Sequence, residues 1–331
     1  MLDIAAKRRF LSGYKFIDLF AGIGGFRLAV SSFGGECAFS SDWDKAAQTV
    51  YENNFGEKPV GDITQIPATE IPAHDILCAG FPCQPFSVAG KQRGFLDTRG
   101  TLFFDIARIV EHHKPKLLLL ENVKNLANHD GGRTLATIRR VLEDAGYNVY
   151  IQVLNAVNYG VPQARERVYI VGFRKDLGVT EFEFPRPLEV TRIVEDVLLP
   201  SKELATESLE IVLPAHFNTE VVERTDRLGF VPKPVRIGEV GLGRQGERIY
   251  HPKGQAITLS AHGGGVGAKT GLYKIGKVVR RLHPRECARL TGFPDSFKFA
   301  AGRSAAYQQF GNSVVVDVLQ WILTACERHL S

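Results

Sequence analysis

Phe16-Ile17-Asp18-Leu19-Phe20-Ala21-Gly22-Ile23-Gly24-Gly25 reads as a β-strand that breaks into a glycine turn and opens a helix running to Phe33. Glycines at such a junction let the backbone curl around a ligand at a helix N-terminus. A dinucleotide-binding loop calls for a third glycine at position 27. Arg27 stands there, which counts against a nicotinamide or flavin cofactor. Outward from this stretch, as far as about Gly172, short apolar runs alternate with helical patterns. Strands are expected at 36–41, 75–79, 116–120, 149–154 and 167–173, and helices at 44–54, 102–113 and 134–145, with helical patterns returning at 284–290 and 314–330. That alternation is the sign of an α/β fold with a mostly parallel sheet and helices on both faces, whose ligands sit at the carboxyl ends of the strands.

The composition sets bounds. The chain has 331 residues, 44% apolar and 23% charged, enough for one large domain and a smaller one. No apolar run approaches the roughly 18 residues of a membrane span, and the N-terminal segment is too short and polar for a signal peptide, so a cytoplasmic protein is expected. Five cysteines, at 37, 78, 83, 287 and 326, show no Cys-x-x-Cys spacing, and neither a disulfide framework nor a metal is implied. Residues 215–285 hold 13 Lys/Arg against 5 Asp/Glu, and 238–276 hold 11 glycines, interleaved with Arg244, Arg248, Tyr250, Lys253, His262 and Lys269. A basic, glycine-rich loop region suits close approach to a polyphosphate partner.

Three further groups carry chemistry. Asp42-Trp43 ends the second strand, where an acid can accept from ribose hydroxyls and an indole can stack on adenine. Asp62, read as following the next candidate strand, can accept from an adenine amino group. The order strand, glycine loop, strand, acid-aromatic, strand, acid describes an adenosine pocket without a phosphate clamp, which suits S-adenosylmethionine. Pro82-Cys83 follows the 75–79 strand. Glu121-Asn122-Val123 ends the next one, and a glutamate abutting four leucines is exceptional if merely structural. In Gln163-Ala164-Arg165-Glu166-Arg167 the alternating arginines point to one side of an extended segment, suited to gripping phosphate, base or carboxylate. His112, His113 and His129 show no metal-ligand spacing.

The blocks Phe16 to Gly25, Gly80-Phe81-Pro82-Cys83-Gln84, Glu121-Asn122-Val123, Gln163-x-Arg165-x-Arg167, Arg281-x-x-Pro284-Arg285-Glu286 and Gln309-Phe310-Gly311-Asn312-Ser313-Val314 together resemble the carbon-5 cytosine DNA methyltransferases. The resemblance covers nearly the whole chain. It implies a Rossmann-like, S-adenosylmethionine-dependent methyltransferase fold plus a smaller, mostly irregular or β target-recognition domain. The domains are expected at 1–195 with 305–331 (catalytic), 196–283 (target recognition) and 284–304 (hinge). It implies Cys83 as nucleophile, Glu121 as the partner of cytosine N3, and Arg165 and Arg167 supporting the flipped base and its phosphate. Cofactor contacts are implied for Phe20, Gly22, Ile23, Asp42, Trp43, Asp62, Ile63, Pro82, Leu102, Asn312 and Val314.

Within the recognition domain, Gln245-Gly246-Glu247-Arg248-Ile249-Tyr250 and Ala256-Ile257-Thr258-Leu259-Ser260-Ala261 resemble a GCGC-specific bacterial member of the family. DNA contacts are accordingly implied for Gln245, Arg248, Thr258, His262, Gly263 and Gly264, with Gly90 to Gly100 as a mobile loop over double-stranded DNA. Three positions depart from that relative: Ala89 replaces a loop serine, Asp42 a ribose-binding glutamate, and His262 a tyrosine. The resemblance further implies a monomer that works beside a cognate restriction endonuclease without a stable complex. The rival readings are an RNA cytosine methyltransferase, which the long basic insertion speaks against, and a silent DNA-binding relative, which intact Cys83 and Glu121 argue against.

Overall fold

The computed structural model describes residues 9–82, 102–188, 192–204, 215–217, 233–300 and 302–330. The chain forms two compact units. One comprises Asp3–Leu154, Glu166–Pro185 and Leu319–Ser331, the other Met1–Leu2, Asn155–Arg165 and Arg186–Val318.

The first unit is built on a six-stranded sheet. Strands β1 (Lys15–Leu19), β2 (Glu36–Ser41), β3 (Ile76–Gly80), β4 (Leu117–Val123), β5 (Tyr147–Asn155) and β6 (Glu166–Arg174) stand in the order β2-β1-β3-β4-β6-β5. β1 runs parallel to β2 and β3, β3 parallel to β4, and β4 antiparallel to β6, so the sheet is mixed and the fold α/β. Leu117 to Leu120 are all fully buried, and consecutive burial requires cover on both faces. Each such leucine contributes about 1.5–3 kcal/mol. On one face, Ile17, Leu19, Leu77, Ala79, Leu118 and Leu120 share a core with apolar side chains of two helices. These are Phe103, Ile106, Ile109 and Val110 of α3 (Leu102–His113), and Ile138, Val141 and Leu142 of α4 (Arg133–Asp144). The three-and-four spacing of those residues is the apolar stripe that made both helices legible.

Helix α1 (Gly25–Ser32) follows the glycine turn, and α2 (Lys45–Phe55) follows β2. The Asp44 carboxylate caps α2 by accepting from the N–H groups of Ala46 at 2.8 Å and Ala47 at 3.4 Å. The parallel strands β1, β3 and β4 end at Leu19, Gly80 and Val123, so the residues just beyond them collect at one sheet edge.

The second unit carries a five-stranded sheet, β11-β10-β9-β8-β7, from β7 (Ala215–Phe217), β8 (Arg236–Val240), β9 (Arg248–Tyr250), β10 (Leu272–Ile275) and β11 (Val278–Arg280). Only the β9–β10 pair is parallel among those recorded. Val235, Ile237, Val240, Ile249 and Leu272 form its small core. The helix Pro284–Leu290 falls where the sequence placed it, started by proline in its first turn.

Two expectations are corrected. No strand precedes Asp62. Only an isolated bridge joins Val60 to Ser41, and Asp62 instead caps a 3-10 turn (Ile63–Gln65) by accepting from Thr64 N at 3.0 Å. The helix expected from Val314 begins at Val316, and a separate helix, Arg303–Asn312, precedes it.

Candidate active site

Glu121 lies in β4 directly opposite Gly80 of β3 and Tyr169 of β6. It is 8% exposed, and its Oε1 lies 3.1 Å from Arg167 Nε. Arg167 sits on β6 opposite Val123, two positions from Tyr169, so the ion pair is a diagonal cross-strand contact fixed by the register. Antiparallel pairing thus aims a guanidinium at the carboxylate that follows four buried leucines. Asn122, the middle residue of the Glu-Asn-Val block, is 1% exposed. Its Nδ2 donates to the Phe81 carbonyl at 2.7 Å, and its Oδ1 accepts from Val123 N at 2.8 Å. Nothing in the sequence assigns Asn122 a role. The structure makes it the tie between β4 and the chain entering Pro82-Cys83. Cys83 itself, Ala89 and the Gly90 to Gly100 loop lie outside the described residues.

The glycine turn is braced by Asp42. Its carboxylate accepts from Gly22 N at 2.7 Å and from Asp44 N at 2.8 Å, and burial raises its pKa against the lowering effect of those two bonds. The turn passes through left-handed backbone at Phe20 (φ 54°), Gly22 (φ 54°) and Gly24 (φ 90°). A side chain on Gly24 would meet Phe55 at 2.2 Å, so glycine is required there by α2 as well as by φ. Arg27, which occupies the position of the missing third glycine, is turned away. It pairs with Glu57 at 2.8 Å, and its guanidinium lies 5.0 Å from the Phe55 ring centre. Beside the braced turn, Trp43 is 81% exposed rather than core, while Ile23 and Ile63 are buried and Asp62 and Pro82 are exposed. Leu102 begins α3.

The second arginine of the Gln-x-Arg-x-Arg block belongs to the first unit and the first to the second. Arg165 is 2% exposed and donates to three carbonyls: Leu259 at 3.2 Å, Gly311 at 3.0 Å and Ser313 at 2.6 Å. The two arginines thus take different partners in the structure. Arg167 takes a carboxylate, and Arg165 stitches backbone segments far apart in sequence. Gln163, fully buried, does the same, donating to the Leu290 carbonyl at 2.8 Å and accepting from Leu259 N at 3.1 Å. These bonds hold the segment around exposed Asn312 and buried Val314. Gly311 permits it, since a Cβ there would lie 2.5 Å from Ala261 N.

Two loops of the second unit carry the implied DNA contacts. Gln245 opens a 3-10 turn (Gln245–Glu247) and is exposed, with Arg248 half-buried behind it, donating to the Gly243 carbonyl at 3.3 Å. His262, Gly263 and Gly264 are exposed on the other loop. The loops meet backbone to backbone: Gly267 N donates to the Gly246 carbonyl at 2.6 Å, and a Cβ on Gly246 would fall 2.1 Å from the Gly264 carbonyl. Thr258 is exposed, but its hydroxyl donates to the Ala164 carbonyl. Lys269 is spent on Ser304, and Arg281 donates to the Val266 carbonyl, so part of the basic charge braces the loops rather than facing out. Glu247, unremarked in the sequence, accepts from Leu242 N at 3.2 Å and Arg244 N at 2.9 Å. The signal was its place three residues after Arg244, a capping-box spacing.

His113 Nε2 contacts the Ala68 carbonyl at 2.8 Å and His129 Nδ1 the Thr134 hydroxyl at 2.7 Å. Among the described residues no group of three His, Cys, Asp or Glu is placed to hold a metal, and no helix is long and apolar enough to cross a membrane.

The chain is similar to known proteins. Residues 14–328 match the profile of the C-5 cytosine-specific DNA methylases. The chain is 55% identical over 325 residues to the type II methyltransferase M.HhaI of Haemophilus parahaemolyticus, covering 97% of this chain and 96% of that protein. It is 45% identical to M.HpaII of Haemophilus parainfluenzae, covering 93% and 87%. The S. pombe Dnmt2 methyltransferase shares the fold, with TM-score 0.69 at 19% identity over 95% of this chain and 99% of that one. The chain belongs to the C-5 cytosine-specific DNA methylases and is a DNA cytosine-5 methyltransferase.

Proposed function

We propose that this enzyme methylates the first cytosine of GCGC in double-stranded DNA, with Cys83 as its nucleophile and S-adenosylmethionine as its methyl donor. The observation that carries the reading is the Glu121–Arg167 pair, 3.1 Å apart and opposite the last residue of the strand that leads into Pro82-Cys83.

Carbon 5 of cytosine is too weak a nucleophile to be methylated unaided. The Cys83 thiolate adds at carbon 6, and the ring electrons move toward carbon 5 and N3. Glu121 holds N3, or delivers a proton to it, so that negative charge does not accumulate on the ring. Arg167, bonded to the same carboxylate, keeps it oriented in β4. S-adenosylmethionine, when bound, supplies the methyl that carbon 5 takes. Loss of the carbon 5 proton then restores the carbon 5 to carbon 6 double bond and expels Cys83. A free thiol has a pKa of about 8.5, so the thiolate needs positive charge nearby.

The residues beside the glycine turn fit an adenosine-bearing cofactor without phosphates. A buried Asp42 carboxylate adjoins an indole that is 81% exposed, and the nearby cation Arg27 is engaged by Glu57 and Phe55. Phe20, Gly22, Ile23, Asp42, Trp43, Asp62, Ile63, Pro82 and Leu102 would hold it. The target base must leave the duplex, at a cost of a few kcal/mol. Gln245 enters the gap and pairs with the orphan guanine, Arg248 reads a guanine edge, and His262, Gly263 and Gly264 approach the backbone. The enzyme works as a monomer in the cytoplasm, beside a restriction endonuclease with which it forms no stable complex.

The test is transfer of labelled methyl from S-adenosylmethionine to a GCGC duplex. Cys83→Ser is expected to abolish it, and full transfer by that variant would end the assignment. Greater incorporation into transfer RNA than into DNA would move the substrate to RNA.

A further inference from the structure

The turn between β8 and β9 presents a side chain that none of the roles above uses. Leu242 is 81% exposed, matched among the large apolar residues described only by Trp43. It stands between Gly241 (φ 60°) and Gly243 (φ 68°), both in left-handed backbone. The tip is nonetheless held firmly. The Glu247 carboxylate accepts from Leu242 N at 3.2 Å and Arg244 N at 2.9 Å, while Arg248 Nε donates to the Gly243 carbonyl at 3.3 Å. A side chain on Gly243 would meet Glu239 at 2.2 Å and Arg236 at 2.7 Å, so the turn is packed from below as well. Its neighbours Arg244 and Gln245 are exposed.

An isolated exposed leucine needs no explanation in general. One fixed at the tip of a braced turn, three residues from the side chain assigned to the vacated base position and flanked by exposed positive charge, does have a use. Arginines bring the turn to the phosphates, and an apolar side chain among them gains by leaving water for the faces of stacked bases or sugars. We propose that Leu242 is an apolar wedge that packs against the base step beside the flipped cytosine and holds the duplex open while Gln245 occupies the gap. Apolar side chains inserted at base steps offset the cost of unstacking, a few kcal/mol per step. The proposal rests on the reading of Gln245 and Arg248 as DNA contacts.

A wedge matters only when the duplex must be opened, and this separates it from a general contact. The experiment measures kcat/KM for methyl transfer on two duplexes: one with the target cytosine paired to guanine, the other with it opposite an abasic position. Leu242→Ala is expected to lose about tenfold on the paired duplex and to come within about twofold of the parent on the abasic one. Leu242→Met, apolar and of similar volume, should retain most activity on both. Equal loss on the two duplexes, or no loss on either, would overturn the wedge. If the parent enzyme fails on the paired GCGC duplex, the recognition reading fails, an outcome distinct from any pattern among the Leu242 variants.

Discussion

Asp317 sits in a slot cut by Gly160 and Gly292. It is 2% exposed and lines a cavity of about 320 Å³ together with Arg192, Asp196, Arg289, Asp295 and Gly292. Gly292 (φ 78°) presses so close that a Cβ would fall 1.9 Å from Asp317 Oδ2, an oxygen that has no hydrogen-bond partner among the described residues. Burial pushes the carboxyl up from 3.8 to about 6, against its own backbone bond and Arg192. Between those two values the folded chain keeps a proton that the unfolded chain releases, so the group lowers stability as pH rises through the window. Asp317→Asn is therefore expected to stabilise the protein at neutral pH by up to about 3 kcal/mol. Urea unfolding should give a gain that grows from pH 4 to pH 6 and then levels off, whereas a gain independent of pH would contradict the account. At this scale Glu121 was legible, because a charge after four leucines needs a reason, and a cross-strand arginine supplied it. Arg165 was not legible, because the carbonyls it binds belong to residues 259, 311 and 313, and no local pattern records so distant a partner.

Among the elements, the strands and helices of the first unit were readable to within a few residues, since apolar runs and 3.6-residue stripes report burial directly. The helix Arg303–Asn312 was missed for a physical reason. Its buried residues, Ala306, Tyr307, Gln309, Phe310 and Gly311, include a glutamine and a glycine, so no purely apolar stripe marks the helix in the sequence. The strands β7 to β11 are three to five residues long, too short for alternation to stand out. What holds the recognition loops is likewise invisible in a count of glycines. Gly246 and Gly264 are needed because two backbones touch, not because the loops are free to move. Gly246→Ala would force Cβ to within 2.1 Å of the Gly264 carbonyl. Displacing the loops by such an amount is expected to cost about 10- to 100-fold in kcat/KM for duplex DNA. Binding of S-adenosylmethionine, followed by isothermal titration, should be unchanged. A variant with parental DNA kinetics would show that the loops need no such lock.

For the whole molecule, the division of labour follows the two units. The six-stranded unit gathers the glycine turn, Asp42, Glu121, Arg167 and the approach to Cys83 at the ends of parallel strands, where the order β2-β1-β3-β4 brings them regardless of their separation in sequence. The five-stranded unit carries the excess of positive over negative charge, and part of that positive charge is structural: Arg280 is bound to Glu286 at 2.7 Å with both side chains nearly inaccessible. Chemistry was therefore the more legible half, because it resides in contiguous blocks. The proposed specificity rests on a few side chains on glycine loops. The measurement that reaches the central claim most directly is bisulfite sequencing of DNA from a host that expresses this protein. The account predicts that the first cytosine of GCGC resists conversion with the parent enzyme and converts fully with Cys83→Ser. Protection that persists in Cys83→Ser, or no protected cytosine with the parent enzyme, would contradict it.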